Sequence, residues 1–559
     1  MLARITDQWR KAAKKQFVLV ILSILLIVAV LPGFAAPGSA TKIAEVAAKN
    51  GMVASAHPLA SQAGLEILKA GGNAVDAAVA TAFAIGVAEL NATGLGGEGM
   101  MVIYLEDQKK TVAIDYRSAA PLLKKDIRWP GDGYLAVAVP GTVAGLALAI
   151  EKYGTMSLAQ VVEPAARLAE NGFAISQTLA DIITESFDPI SKNEALLAIL
   201  APEGLPLEAG QILKNVDLAK SLRAIGKGGP DVFYKGEIAD TIVADMAKNG
   251  GIITKADLAA YRAIEREPVR GMYRGYEIIS APPPVGGLSV IEILNILENF
   301  DLSKDPYLAP GSVHIMVEAM KRGFADNGAY IGDPDFVQVP TEALLSKAYA
   351  KSRAAEISTT KITPKVLFGD PTKEHPSTTH LSIVDKQGNM VALTQTNSSF
   401  WGAKVVVPGT GIILNNEMQN WSAKGPNAYA PGKRMRTTIA PTIIAKDGKT
   451  FAALGTPGAA RIISTMTILV SNLIDYNMSV QEAIEAARFY ARDTEKALSI
   501  ESRMPQATQD ALKAMGYELT VLGDYDLFFG GAQAIVVDRA NNMLRGGADP
   551  RRDGAVLGY

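Results

Sequence analysis

The stretch AVDAAVATAFAIGVAE, residues 74–89, has small apolar side chains on every face of the helix that its composition predicts. A helix with no polar face must be covered on most sides, so this chain has to build a large core around it. Its flanks narrow the choice. HPLASQAGLEILKAGG predicts a preceding helix over residues 60–69, stopped at Gly71 and Gly72. GLGGEG, residues 94–99, matches GxGxxG in form, but it follows a helix and precedes a strand. That order is the reverse of a dinucleotide site, so the glycines are read as allowing a close backbone approach. The next strand is followed by KKTVAIDYRSAAP, a second one that runs into Arg117.

Composition excludes several classes. The chain has 559 residues, is 48% hydrophobic with few aromatics, and carries a net charge of −2, which suits a tightly packed αβ protein and leaves no footprint for nucleic acid. It has no cysteine, hence no disulfide, thiolate nucleophile, Cys-ligated metal or lipidated Cys. His57, His314, His375 and His380 show no HExxH or other ligand spacing, so a metal enzyme is not expected. Arg4, Arg10, Lys11, Lys14 and Lys15 precede an apolar run, Phe17 to Leu31, and the small-residue stretch PGFAAPGSA. Residues 1–40 therefore read as an export signal, cut after Gly33/Ala35 or Gly38/Ala40, or as an uncleaved membrane anchor through residues 17–31. Either way the body of the protein belongs outside the cytoplasmic membrane, periplasmic or extracellular.

From about residue 157 to 356 the pattern is mostly helical, broken by the loop SAPPPVGGLS. Residues 360–377, polar and Pro-rich, have the character of an exposed linker, and from Thr378 onward strands and turns dominate, with one helix pair in RIISTMTILVSNLIDYN and SVQEAIEAARFYA. The junction is STTHLSIVD, residues 377–385, where three hydroxyl residues open an alternating strand. One explanation is a strand that merely starts after Pro376, which favours extended chain before it. The other is chemical. A threonine hydroxyl needs a base beside it, and this chain has no Cys and few His to serve as one. An α-amino group freed by a cut before Thr378, with a pKa of about 7.7–8.0, would place that base on the nucleophile's own residue.

HPLASQAGLEILKAGGNAVDAAVA, GLGGEGMMV, IDYRSAAP, AVPGTVAGL, APPPVGGL, GDPDFV, STTHLSIVD, GIILNNEM, IAPTII, GTPGAARII and DPRRDG follow one another in an order that resembles the γ-glutamyltranspeptidases. The resemblance covers residues 42–559. It implies an α+β fold, the four-layer αββα sandwich of the N-terminal-nucleophile hydrolases, formed by two subunits from one self-cleaved precursor. The large chain would be residues 41–377 and the small, catalytic chain 378–559, cut between Ser377 and Thr378 and remaining paired as a heterodimer. The implied activity is cleavage of γ-glutamyl amides such as glutathione through a γ-glutamyl-threonine acyl-enzyme, with transfer to water, amino acids or peptides.

By the same resemblance Thr378 is the nucleophile and Thr396 supports it. Gly458 and Ala459 correspond to the Gly-Gly pair whose N–H groups hold the oxyanion. Arg117 matches the arginine that clamps the substrate α-carboxylate, with a strand-end salt bridge as the competing reading. Thr437 and Thr438 stand where Ser-Ser is usual. Asn397 and Ser398 are both candidates for one polar contact.

Glu417 sits at a position that binds the substrate α-amino group, but Asn420 replaces the usual Asp, which removes a charge facing that ammonium. The segment between Asn420 and Thr437 is also shorter than in members with a lid loop. These departures keep a second reading open, an N-terminal-threonine amidohydrolase or acylase acting on another carboxylate-bearing amide. A third reading is an inactive binding relative.

Overall fold

The computed structural model describes residues 43–123, 129–366, 378–492 and 496–559. The export or anchor segment, residues 1–40, and Ser377 of the junction lie outside the described residues. Among the described residues no helix is long and apolar enough to cross a membrane.

Fourteen strands make the body: β1 (Val46–Ala48), β2 (Met52–Ser55), β3 (Glu98–Leu105), β4 (Lys110–Tyr116), β5 (Ile264–Arg266), β6 (Val269–Tyr273), β7 (Tyr276–Ser280), β8 (Thr379–Val384), β9 (Met390–Thr396), β10 (Thr442–Lys446), β11 (Lys449–Gly455), β12 (Gln533–Asp538), β13 (Met543–Ala548) and β14 (Ala555–Gly558). They form two seven-stranded sheets, ordered β14-β2-β8-β9-β3-β4-β5 and β1-β13-β12-β11-β10-β7-β6. β8 and β9 pack across the interface on β11 and β12, so the sheets lie face to face.

Helices α1 (Pro58–Lys69) and α2 (Ala74–Ala88) cover the outer face of the first sheet, and α3 (Gly287–Leu297) and α4 (Arg461–Ile474) lie on the far side of the second. The result is the four-layer αββα sandwich that the sequence implies. Strands of the first sheet are buried on both faces and split their side chains between two cores. On β3, Met101, Ile103 and Leu105 join the core under α1 and α2, while Met100, Val102 and Tyr104 join the core between the sheets.

The Ala-rich helix behaves as its composition requires: all its residues from Ala74 to Ala88 are buried. Its start is fixed by a capping box, in which the Asn73 side chain accepts from the N–H of Asp76 at 3.0 Å and Asp76 accepts from the N–H of Asn73 at 2.8 Å. Its end delivers Glu89, whose N–H donates to the carbonyl of Ile85.

Two local readings change. The mostly helical middle contains β5, β6 and β7, because VRGMYRGYEIIS alternates at the strand period around a tight turn. In the second member of the predicted helix pair, the helix stops at Glu485 and Phe489–Ala491 pairs as a strand with Ile500–Leu498. Aromatic residues favour the pleated pairing there over continued helix.

Candidate active site

Strand register brings four side chains into one row. The β8–β9 pairing, Thr379 opposite Gln395, puts Thr378 opposite Thr396 one step further on. Thr396 is itself the partner of Glu98 on β3. The β3–β4 pairing, Gly99 opposite Tyr116, extends to place Glu98 opposite Arg117. All four share the parity of Met100 and Val102, so they face the second sheet at the strand ends.

Along this row Thr378 Oγ1 donates to Thr396 Oγ1 at 3.3 Å, and Thr396 Oγ1 also accepts the N–H of Ser398 at 2.8 Å. The Thr378 carbonyl accepts from Arg552 Nη1 at 2.9 Å. The next hydroxyl, Thr379 Oγ1, donates to Glu89 Oε2 at 2.6 Å, and Arg552 Nη1 stands 3.9 Å from the other oxygen of Glu89. Burial pushes the Glu89 carboxyl up to about 7, although Arg552 and the Thr379 hydrogen bond pull it down.

At the other end of the row Arg117 is fully buried and ion-paired with Glu98, while its Nη2 lies 3.8 Å from Glu417 Oε2. Glu417 begins a 3-10 turn over Glu417–Asn420, and its Oε2 accepts from Asn420 Nδ2 at 2.9 Å. Burial raises the Glu417 carboxyl, against the opposite pull of Arg117 and Asn420. Asn420 Nδ2 also donates to Ser398 Oγ at 2.8 Å. Asn420 is therefore used as a donor that bridges Ser398 and Glu417.

Asn397 and Ser398 take different directions in space. Ser398, in the left-handed region at φ 78°, turns its hydroxyl toward Asn420. Asn397 is buried with its side chain against the glycine turn: a Cβ on Gly97 would come within 2.5 Å of Asn397 Oδ1. That close approach is the reason for glycine in GLGGEG.

From the second sheet, β11 ends at Gly455, and Gly458 and Ala459 follow at φ 130° and 50°, just before α4. Among the described residues neither of their N–H groups donates a hydrogen bond. Thr438 Oγ1 donates to the Ala459 carbonyl at 2.7 Å and so fixes the turn, while Thr437 is half-buried with its N–H on the Pro284 carbonyl at 3.1 Å.

The segment between Asn420 and Thr437 is pinned down: Tyr429 OH donates to the carbonyls of Pro121 and Leu123, and Asn427 Nδ2 to that of Asn420. Sequence reasoning assigned no role to Glu98, Glu89 or Arg552. For Arg552 the motif DPRRDG was the available signal, and for Glu98 it was GLGGEG.

The family model for gamma-glutamyltranspeptidase matches residues 60–559. The chain belongs to the γ-glutamyltranspeptidase family. It is an enzyme of the γ-glutamyltransferase and glutathione hydrolase type. It is 44% identical to a glutathione hydrolase proenzyme of Escherichia coli (strain K12), over 92% of this chain and 93% of that protein. It is 41% identical to the Acylase ACY 1 proenzyme of Pseudomonas sp. (strain SE83), over 91% of this chain and 93% of that protein. A cephalosporin acylase from Bacillus halodurans superposes with a TM-score of 0.87 at 34% identity, covering 95% of this chain and 99% of that structure.

Proposed function

We propose that this family member is an exported, self-processing N-terminal-threonine hydrolase that cleaves γ-glutamyl amides, glutathione among them. The observation that carries the reading is the Thr378–Thr396 hydroxyl pair at 3.3 Å, at the mouth of two adjacent strands. In the precursor, Thr378 Oγ attacks the carbonyl of Ser377. The peptide C–N bond breaks, the acyl group passes to oxygen and the nitrogen takes the hydroxyl proton. Water then hydrolyses the ester, leaving Thr378 with a free α-amino group.

In turnover that amine accepts the Thr378 hydroxyl proton while Oγ adds to the γ-carbonyl of the donor, and the proton passes on to the departing amine. The N–H groups of Gly458 and Ala459 hold the oxyanion, an interaction whose loss costs about 3–4 kcal/mol where it has been removed. Water or an acceptor amine then takes the γ-glutamyl group from the ester. Glu417 faces the donor's α-ammonium. Thr437 donates to its carboxyl end, because the Thr438 proton is committed to the Ala459 carbonyl. Residues 1–40 act as the export signal or as the anchor.

A second reading is favoured by one observation. Asn420 donates to both Ser398 and Glu417, so a neutral amide with its NH2 group committed stands where a second carboxylate usually faces the ammonium. An acyl donor without the α-amino group is then accepted, as in an acylase. Intact mass and N-terminal sequencing of the protein beside Thr378→Ala tests the nucleophile. Two fragments, the smaller beginning at Thr378, with an uncut variant, are expected; an uncut wild type would sink the reading. A γ-glutamyl anilide against its des-amino glutaryl analogue then ranks the two substrate classes.

A further inference from the structure

Arg551 and Arg552 are neighbours in DPRRDG and are used differently. Arg551 is saturated: it donates to Glu501 at 2.9 Å, to Asp549 at 3.1 Å, and to the carbonyls of Ile484 and Ala486 at 3.0 Å each. Arg552 is buried too. Among the described residues its guanidinium makes one hydrogen bond, from Nη1 to the Thr378 carbonyl at 2.9 Å, while Nε and Nη2 have no partner. The carboxylates around it do not take up those donors: Glu89 stands 3.9 Å from Nη1, and Asp553 accepts from Ser176 Oγ at 2.6 Å and Thr178 Oγ1 at 3.0 Å. The Arg552 stem passes over Gly531, where a Cβ would come within 2.7 Å of Cδ.

A buried cation with spare donors is destabilising and calls for an explanation. Cleavage before Thr378 supplies one. β8 begins at Thr379, so the new terminus lies beyond the last ladder pair, where chain ends fray unless tied down. The α-amine and Oγ of Thr378 sit on one Cα, and both swing if that residue turns. Its carbonyl stays in an intact peptide after the cut, and Arg552 holds it. Glu89 secures the next residue, accepting from Thr379 Oγ1 at 2.6 Å.

We propose that Arg552, backed by Glu89, is a positioning residue that grips the Thr378 carbonyl and so aims the α-amine and Oγ of the processed enzyme at the scissile carbonyl. The inference rests on the N-terminal-threonine reading above and deepens it.

The test is chemical rescue of Arg552→Ala. Ethylguanidine replaces the atoms that this substitution removes, and the cleft lined by His57, Glu89, Phe400 and Asp553 lies against the place it has to reach. On a γ-glutamyl anilide the variant is expected to lose about 10- to 100-fold in kcat, with KM within about twofold of wild type. Millimolar ethylguanidine should raise that kcat by about fivefold or more, whereas ethylammonium, an equal charge without the planar donors, should not. Wild-type kcat in the variant, a loss confined to KM, or a loss that ethylguanidine does not reverse overturns the proposal.

If the folded variant stays uncut, its self-cleavage is followed with and without ethylguanidine and read in the same way. If it does not fold, Arg552→Lys decides: the shorter ammonium should still lower kcat, and wild-type kcat overturns the proposal. Wild type separates this from the reading beneath it. An uncut wild type sinks the N-terminal-threonine reading and takes the role of Arg552 with it. A cut wild type that turns over only the glutaryl anilide sinks the γ-glutamyl substrate alone, and the rescue is then run on that anilide.

Discussion

In the proposed reaction, a single backbone angle at Ala459 would carry catalytic weight. Its φ of 50° lies in the left-handed region, where an L-residue is disfavoured by about 1–2 kcal/mol. The turn tolerates this because Thr438 clamps the Ala459 carbonyl from outside and α4 begins two residues later. The small Cβ is the limit of what fits: a β-branched side chain is a genuine outlier at positive φ, whereas glycine adopts it freely. Ala459→Gly should therefore keep kcat close to that of wild type. Ala459→Val should rotate the peptide and lower kcat roughly 10²–10³-fold, as losing one oxyanion donor does. Steady-state kinetics on a γ-glutamyl anilide checks both, and a fully active Ala459→Val would show that this N–H does not hold the oxyanion. Sequence comparison could match Ala459 to a Gly-Gly pair, but the strain became visible only with the backbone angle.

Among the elements, α2 connects the most constraining feature of the sequence to the site. Its largely apolar surface, with Asp76 spent on the capping box, lets it bury completely beneath β8 and β9, and its end carries Glu89 to the Thr379 hydroxyl. The groups facing Glu89 are Thr379 on β8 and Arg552 and Asp553 from the C-terminal turn, and its carboxyl is pushed up to about 7 mainly by burial. Below about 4.5 folded and unfolded chains both hold this proton. Between about 4.5 and 7 the folded protein keeps a proton that the unfolded chain has released, so stability falls as pH rises through that window. Glu89→Gln removes the effect. Thermal melts at about pH 5 and pH 8 should show wild type losing more stability than the variant on the alkaline side; parallel shifts would mean that Glu89 is already ionised in the folded protein. The helix itself was legible, since its composition admits only burial. The chemistry at its end was not, because a lone Glu after an apolar helix has the same local sequence whether it caps the helix or serves a strand.

At the scale of the whole molecule, the topology explains both what could be read in advance and what could not. Alternation along β8 and β9 was visible locally, and so was the glycine turn before β3. The row Thr378–Thr396–Glu98–Arg117 needs three separate registers and segments far apart in sequence, so nothing in GLGGEG could place Glu98 between a nucleophile and an arginine. The same applies to Arg552, which reaches the Thr378 carbonyl from 174 positions away. The topology also governs what happens after a cut before Thr378. In the first sheet β8 and β9 lie between β2 and β3, and in the second β13 pairs with β1 and β10 with β7. Each piece therefore supplies interior strands to sheets that the other must complete. Neither half buries the inter-sheet core alone, and separating them would expose a continuous apolar face and several unpaired strand edges. The two fragments should elute as one species on native size exclusion, stay together in high salt because the contact is apolar rather than ionic, and part only at denaturant concentrations that unfold both. Separation in 1 M salt, with each fragment keeping its circular dichroism, would show that the sheets are not shared in the way the strand order requires.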